Sequence, residues 1–140
     1  MVLPGIQALF GFQLIAVFND GFDKKLSEPQ QLLHYAAVIL VTVAIALVMA
    51  PAALHRQTSQ REASERFVWQ ASRLLLASML PLSIAICLDV YLVGLVITGT
   101  SAIAAAWSAV IFGAFLAFWV ALPLWERWRH TPHHKRIRSH

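Results

Sequence analysis

Four long apolar stretches, at about residues 2–18, 32–54, 73–97 and 102–125, constrain this chain more than any other feature. Each is close to the ~20 residues with which an α-helix crosses a ~30 Å hydrocarbon layer. Backbone in lipid must satisfy its own N–H and C=O groups, and a helix does so within one segment. Composition points the same way. Of 140 residues, 59% are hydrophobic and 13% charged, whereas a soluble domain is about half apolar and about a quarter charged. Disorder is excluded on the same grounds, since disordered segments are poor in apolar residues and rich in net charge. The sequence predicts an all-α, integral membrane four-helix bundle. The single cysteine, Cys87, cannot form an internal disulfide.

The first stretch does not read as a cleavable signal, because no Lys or Arg precedes it and no small-residue cleavage site follows. It is expected to be retained, with room to continue past Asn19 toward Phe22. The link after it carries Asp20, Asp23, Lys24, Lys25 and Glu28, with Gly21 and Pro29 as breakers. The next link carries Arg56, Arg61, Arg66 and Arg73 against Glu62 and Glu65. The third, from Gly94 to Ser101, is uncharged and reads as a tight turn at Gly99 and Thr100. With four spans, the N-terminus, the second link and the tail share a side, which collects nine of the eleven Lys and Arg. The positive-inside rule then makes both termini cytoplasmic. Residues 1–125 form one transmembrane domain and 126–140 a basic, His-rich cytoplasmic tail. The basic balance belongs to lipid headgroups beside the spans rather than to nucleic acid. Trp125 and Trp128 lie at that interface.

Ser59-Gln60-Arg61-Glu62 matches a capping box, in which each side chain satisfies a backbone donor at a helix start. A helix beginning there runs through Phe67, Val68 and Trp69 into the third span, projecting two or three turns into the cytoplasm. On the fourth span Ser101, Ala105, Ala109, Gly113, Ala117 and Ala121 recur at every fourth position. Such small residues let helices approach closely in lipid. Ala105, Ala109, Gly113 and Ala117 are therefore read as a packing face, within the bundle or, as the second reading, between two copies. Shorter rows are Ala77, Pro81, Ala85 and Asp89 on the third span, and Thr42, Ala46 and Ala50 on the second. Pro81, mid-span, removes the bond to the Ala77 carbonyl and is a candidate hinge.

Asp89 is the one carboxylate inside a span. Eight residues from the outer end of its span, it lies ~12 Å below that surface. A carboxylate there costs about 2.5–3.5 kcal/mol unless protonated, hydrated or paired, and such a group is a candidate for binding a proton or cation. The same depth count brings Gln13, Thr42 and Ser108 to its level, ~9–16 Å from the outer face, with Tyr91 nearby on the same helix. Asp89, Gln13, Thr42, Ser108 and Tyr91 form the expected ion-binding belt; the alternative is an Asp89 bonded to Gln13 or a carbonyl merely as glue between helices.

His34 and His55 stand 21 residues apart at the two ends of the second span, ~32 Å along a helix, and cannot share a metal or haem. His34 reads as an interfacial residue, with pH sensing at the outer surface as the weaker reading. His55 sits where the helix dipole favours positive charge. His130-x-x-His133-His134 has metal-like spacing, but Pro132 breaks the helix and no Cys or acid joins them, so no metal site is assigned. With no Gly-rich phosphate loop, nucleophile–base pair or haem-attachment motif, neither an enzyme nor a cofactor is expected.

Several segments carry a family resemblance: Leu3-Pro4-Gly5-Ile6-Gln7 followed by Leu9-Phe10-Gly11-Phe12, then Phe18, Phe22 and Leu26. Ala50-Pro51-Ala52-Ala53 with His55-Arg56, Arg73, and Leu122-Pro123-Leu124 complete the set. Together they make the chain similar to a small bacterial family of four-helix membrane proteins of unknown function, whose members often carry the automatic label sodium:proton antiporter. The resemblance runs to about Arg129 and implies a bacterial inner-membrane location. Asp89 and the His-rich tail are not part of the family pattern. Secondary transporters commonly pair repeats around a midplane site, and no internal repeat occurs here, so a homodimer would have to supply the second half. Two functions follow as expectations. One is proton- or monovalent-cation-coupled transport through Asp89; the other is a non-catalytic accessory or scaffold subunit of a larger membrane complex.

Overall fold

The computed structural model describes residues 3–57 and 65–121, and every regular element in them is helical. The elements are α1 (Leu3–Val17), α2 (Phe22–Lys25), α3 (Glu28–Gln57), α4 (Glu65–Thr98) and α5 (Ser101–Leu116), the last running into a π-helical turn at Ala117–Ala121. The Ser59–Glu62 capping motif, Leu122-Pro123-Leu124, the two tail tryptophans and the His-rich tail lie outside the described residues. Three helices are long and apolar enough to cross a membrane, over Glu28–Ala53, Trp69–Thr98 and Ser101–Trp119. The expected first span differs. α1 has 15 residues, ~22 Å of helix, short of the ~30 Å a spanning helix covers.

α1 stops at Val17 rather than continuing toward Phe22 because Asn19 turns the chain. Its Oδ1 accepts from the Gly21 N–H at 3.1 Å and its carbonyl accepts from the Phe22 N–H at 2.9 Å. Short polar side chains compete in this way with helical bonding. α3 then starts on a half capping box, where the Ser27 N–H donates to Gln30 Oε1 at 2.9 Å. The tight turn between α4 and α5 forms as the sequence indicates. Gly99 takes φ 65°, a conformation nearly free of cost only for glycine. α4 runs as one helix of 34 residues through Pro81. Near its N-terminal end the Arg73 guanidinium lies 4.6 Å from the Trp69 ring centroid, a cation–π pair.

Packing is in a row: α1 lies on α3, α3 on α4, and α4 on α5. The contact between α3 and α4 is made by small residues. Ala37, Val41 and Ala44 on α3 and Ala85 on α4 are wholly buried. Their 3–4 spacing puts them on one face, and Ile6 of α1 joins the same cluster. Large apolar side chains point the other way, including Leu32, Tyr35, Ile39, Leu80, Val93, Trp107 and Val110. An apolar exterior around a small-residue interior suits a solvent of lipid.

The small-residue row of α5 takes a different place from the one expected. Ala105, Ala109, Gly113 and Ala117 are all exposed, so this face does not pack within the bundle. The α5 face against α4 instead carries Ala104, 1% exposed, and Ser108. The Ala104 side chain fits over Gly94, where an added Cβ would lie 3.2 Å from it. Hairpin geometry set by the Gly99 turn decides which face meets α4. The row Thr42, Ala46 and Ala50 on α3 likewise lies off the buried stripe, Thr42 and Ala46 being exposed.

Candidate functional site

The buried stripe of α3 continues outward from Ala37 by three residues and reaches His34. That of α4 continues from Ala85 by four and reaches Asp89. Helical periodicity therefore carries both side chains to the same seam. α1 closes it with Gln13, which is one helical stripe on from Ile6 and, like it, 4% exposed.

These three residues form one network. The Gln13 Nε2 donates to Asp89 Oδ2 at 2.5 Å. The Gln13 backbone carbonyl lies 3.0 Å from His34 Nε2. On its other side the ring presents Nδ1 to Asp89 Oδ1 at 3.4 Å. A carbonyl oxygen only accepts, so His34 Nε2 carries a proton and donates it to Gln13. Nδ1 and the Asp89 carboxyl then face each other and need one proton between them. That proton makes either an imidazolium beside a carboxylate or a neutral imidazole beside a carboxylic acid. Phe22 of α2 meets the imidazole edge-to-face, with ring centroids 5.5 Å apart. Gln13 Oε1 is buried without a hydrogen-bond partner.

A cavity of about 340 Å³ opens beside the network. Among the described residues, Gln13, His34 and Asp89 supply its only polar lining; the remaining described wall is apolar, from Leu9, Phe12, Phe22, Leu92 and Val96 among others.

Of the belt expected from depth, the structure brings together Asp89 and Gln13. Thr42 is exposed, and its hydroxyl donates to the Val38 carbonyl at 2.9 Å. It follows Val41 by ~100° of helix rotation and is carried off the seam. Ser108 does face α4, but its hydroxyl donates to the Cys87 carbonyl at 2.7 Å rather than to Asp89. Tyr91, two residues past Asp89 and ~200° around the helix, points elsewhere and does not line the cavity. Rotation about the helix axis carries Thr42 and Tyr91 away from Asp89, and the Cys87 carbonyl takes the Ser108 hydroxyl. His34 is the residue that depth alone misplaced. It is 7% exposed, because α3 begins at Glu28, six residues earlier, which puts His34 ~9 Å inside the helix. The 3–4 stripe through Ala37, Val41 and Ala44 is the signal that finds it.

A family model described as a family of unknown function, DUF6328, matches residues 1–123. That description names no activity, so the sodium:proton antiporter label draws no support from it. No curated protein and no solved structure matches the chain.

Proposed function

We propose, from the premise that this chain belongs to the DUF6328 family of unknown function, that it is a small non-enzymatic membrane carrier. In it His34 and Asp89 share one exchangeable proton that is traded for a monovalent cation. The observation behind this reading is the forced tautomer. With Nε2–H committed to the Gln13 carbonyl, the opposed Nδ1 and carboxyl 3.4 Å apart form a one-proton site. A cation arriving at Asp89 competes with that proton, which is the minimal requirement for coupled exchange.

The membrane arrangement belongs to the same proposal. α1 serves as a fourth span, its apolar sequence extending from Met1 to Phe18, ~27 Å if helical. Both termini then lie on the cytoplasmic side of a bacterial inner membrane, with Lys24 and Lys25 outside. Four helices offer one site without a pseudo-symmetric partner. The exposed row Ala105, Ala109, Gly113 and Ala117 suits a second copy of the chain, which would supply it. The test is proton flux in liposomes under an imposed cation gradient. Asp89→Asn should abolish cation-dependent proton movement while keeping the acceptor for Gln13 Nε2. Undiminished flux in the variant would sink the proposal.

The exposed α5 face also favours a second reading, an accessory subunit that packs against a larger membrane complex. Mass measurement in mild detergent separates the two. A homodimer supports the carrier, and stoichiometric co-purification with one larger complex, without flux, supports the subunit.

A further inference from the structure

We infer that the monocation taken by this site is an amphipathic ammonium ion, a primary or secondary amine carrying an apolar body, and not a bare alkali ion. The inference rests on the proton-sharing reading of His34 and Asp89 and adds to it the chemical class of the exchanged species.

The polar end of the cavity has used its donors and kept its acceptors. Gln13 Nε2 is given to Asp89 and His34 Nε2–H to the Gln13 carbonyl. The polar residues that line the cavity are Asp89, His34 and Gln13, and beside them Gln13 Oε1 is buried with no hydrogen-bond partner among the described residues. A buried acceptor without a partner costs about 1–3 kcal/mol, and a ligand bearing N–H or O–H groups relieves it. Carboxylates and carbonyl headgroups bring more acceptors and are disfavoured. An ammonium group brings donors and positive charge together.

The walls exclude the alkali ion. A dehydrated alkali ion needs a ring of oxygens in place of its water shell. Among the described lining residues, side-chain oxygens come from Asp89 and Gln13 alone, and apart from His34 the rest is apolar. The space of about 340 Å³ falls in the range that encloses a small organic ligand, and the rings of Phe12 and Phe22 flank it.

Charge balances through the exchange. An R–NH₃⁺ entering displaces the shared proton to water and leaves a carboxylate beside an ammonium and a neutral imidazole. The site's net charge is unchanged. Among the described residues, no other titratable side chain lines the cavity. Residues 3–17 of α1 and 101–121 of α5 contain no Asp, Glu, His, Lys or Arg. Tyr35 of α3 is exposed, Cys87 and Tyr91 of α4 lie off the cavity, and Lys24 and Lys25 of α2 are exposed.

The test is titration calorimetry on the full chain in detergent, with n-hexylammonium as probe, run in two buffers of different ionisation enthalpy to count protons. Sodium, 1-hexanol and hexyltrimethylammonium, which has charge but no N–H, serve as comparators. Hexylammonium should bind about tenfold or more tighter than each comparator, as hydrogen bonds to charged and orphaned groups imply, and should release one proton. Ala16→Trp, which puts an indole into the cavity at an apolar lining residue outside the network, should weaken hexylammonium by a similar factor. It should leave the infrared carboxyl signal of Asp89 titrating as in the wild type. Equal binding of hexylammonium and hexanol, or an Ala16→Trp variant that binds as the wild type does, overturns the ammonium assignment alone. Proton release that persists in a monodisperse Asp89→Asn protein overturns the proton-sharing reading beneath it.

Discussion

Gln13 acts on the network through both its backbone and its side chain. Its backbone carbonyl fixes the His34 tautomer, and its side-chain amide holds Asp89. Replacing it with Leu keeps the first and removes the second, leaving a carboxyl group in the seam with His34 as its one partner there. Gln13→Leu should lower stability by ~1–3 kcal/mol, read as the shift in an unfolding titration from mixed detergent micelles. The His34–Asp89 contact predicts coupling of its own. A double-mutant cycle of His34→Gln with Asp89→Asn should return an interaction of ~0.5–3 kcal/mol, and additivity would mean the two side chains do not act on each other. Thr42→Val supplies the contrast. Its hydroxyl bonds only to its own helix at Val38, so the change should stay within about 0.5 kcal/mol. In sequence, Gln13, Asp89 and Thr42 read as near neighbours in depth and His34 as an interfacial residue. Rise per residue is a property of every helix, so depth was legible. Rotation about the axis is set by which stripe meets a neighbour, and that depends on residues such as Ala37 and Ala85, which carry no chemistry themselves.

At the scale of elements, the α4–α5 hairpin makes the sharpest prediction. A side chain at Gly94 would start 3.2 Å from the Ala104 Cβ and 3.3 Å from its Cα, so the facing helix would have to give by a few tenths of an ångström. Gly94→Val should destabilise by ~1–3 kcal/mol. Ala104→Gly in the same chain should recover part of the loss by opening the facing position, and no recovery would place the strain elsewhere. The turn that ends α4 was evident from Gly99 and Thr100, since an uncharged glycine-bearing link between two apolar runs leaves few alternatives. The end of α1 was not. Its apolar run offers no breaker before Asn19, and the helix stops because the Asn19 side chain bonds Gly21, a local competition that apolarity does not report. The α5 row of small residues shows the converse. The pattern is regular, yet a helix has several faces, and the Gly99 turn delivers the Ala104–Ser108 face to α4.

For the whole molecule the proposed topology can be read by labelling. Cys87 is the single cysteine, so a Cys87→Ser chain accepts reporters at Lys24→Cys and Ser139→Cys. A membrane-impermeant maleimide added to intact cells should modify the first and reach the second only after permeabilisation. The reverse pattern would contradict the distribution of nine Lys and Arg on one side and two on the other. The sequence by itself determined that the chain is helical, that at least three of its segments match lipid in length and polarity, and that one carboxyl group lies among them. Those follow from composition and from the rise of a helix, which are additive along the chain. Only the tertiary structure decided that His34, 55 residues away in sequence, stands against Asp89, with Gln13 between them and a cavity alongside. Contacts between helices depend on relative rotation and on small residues that permit close approach, and neither quantity is additive along the chain.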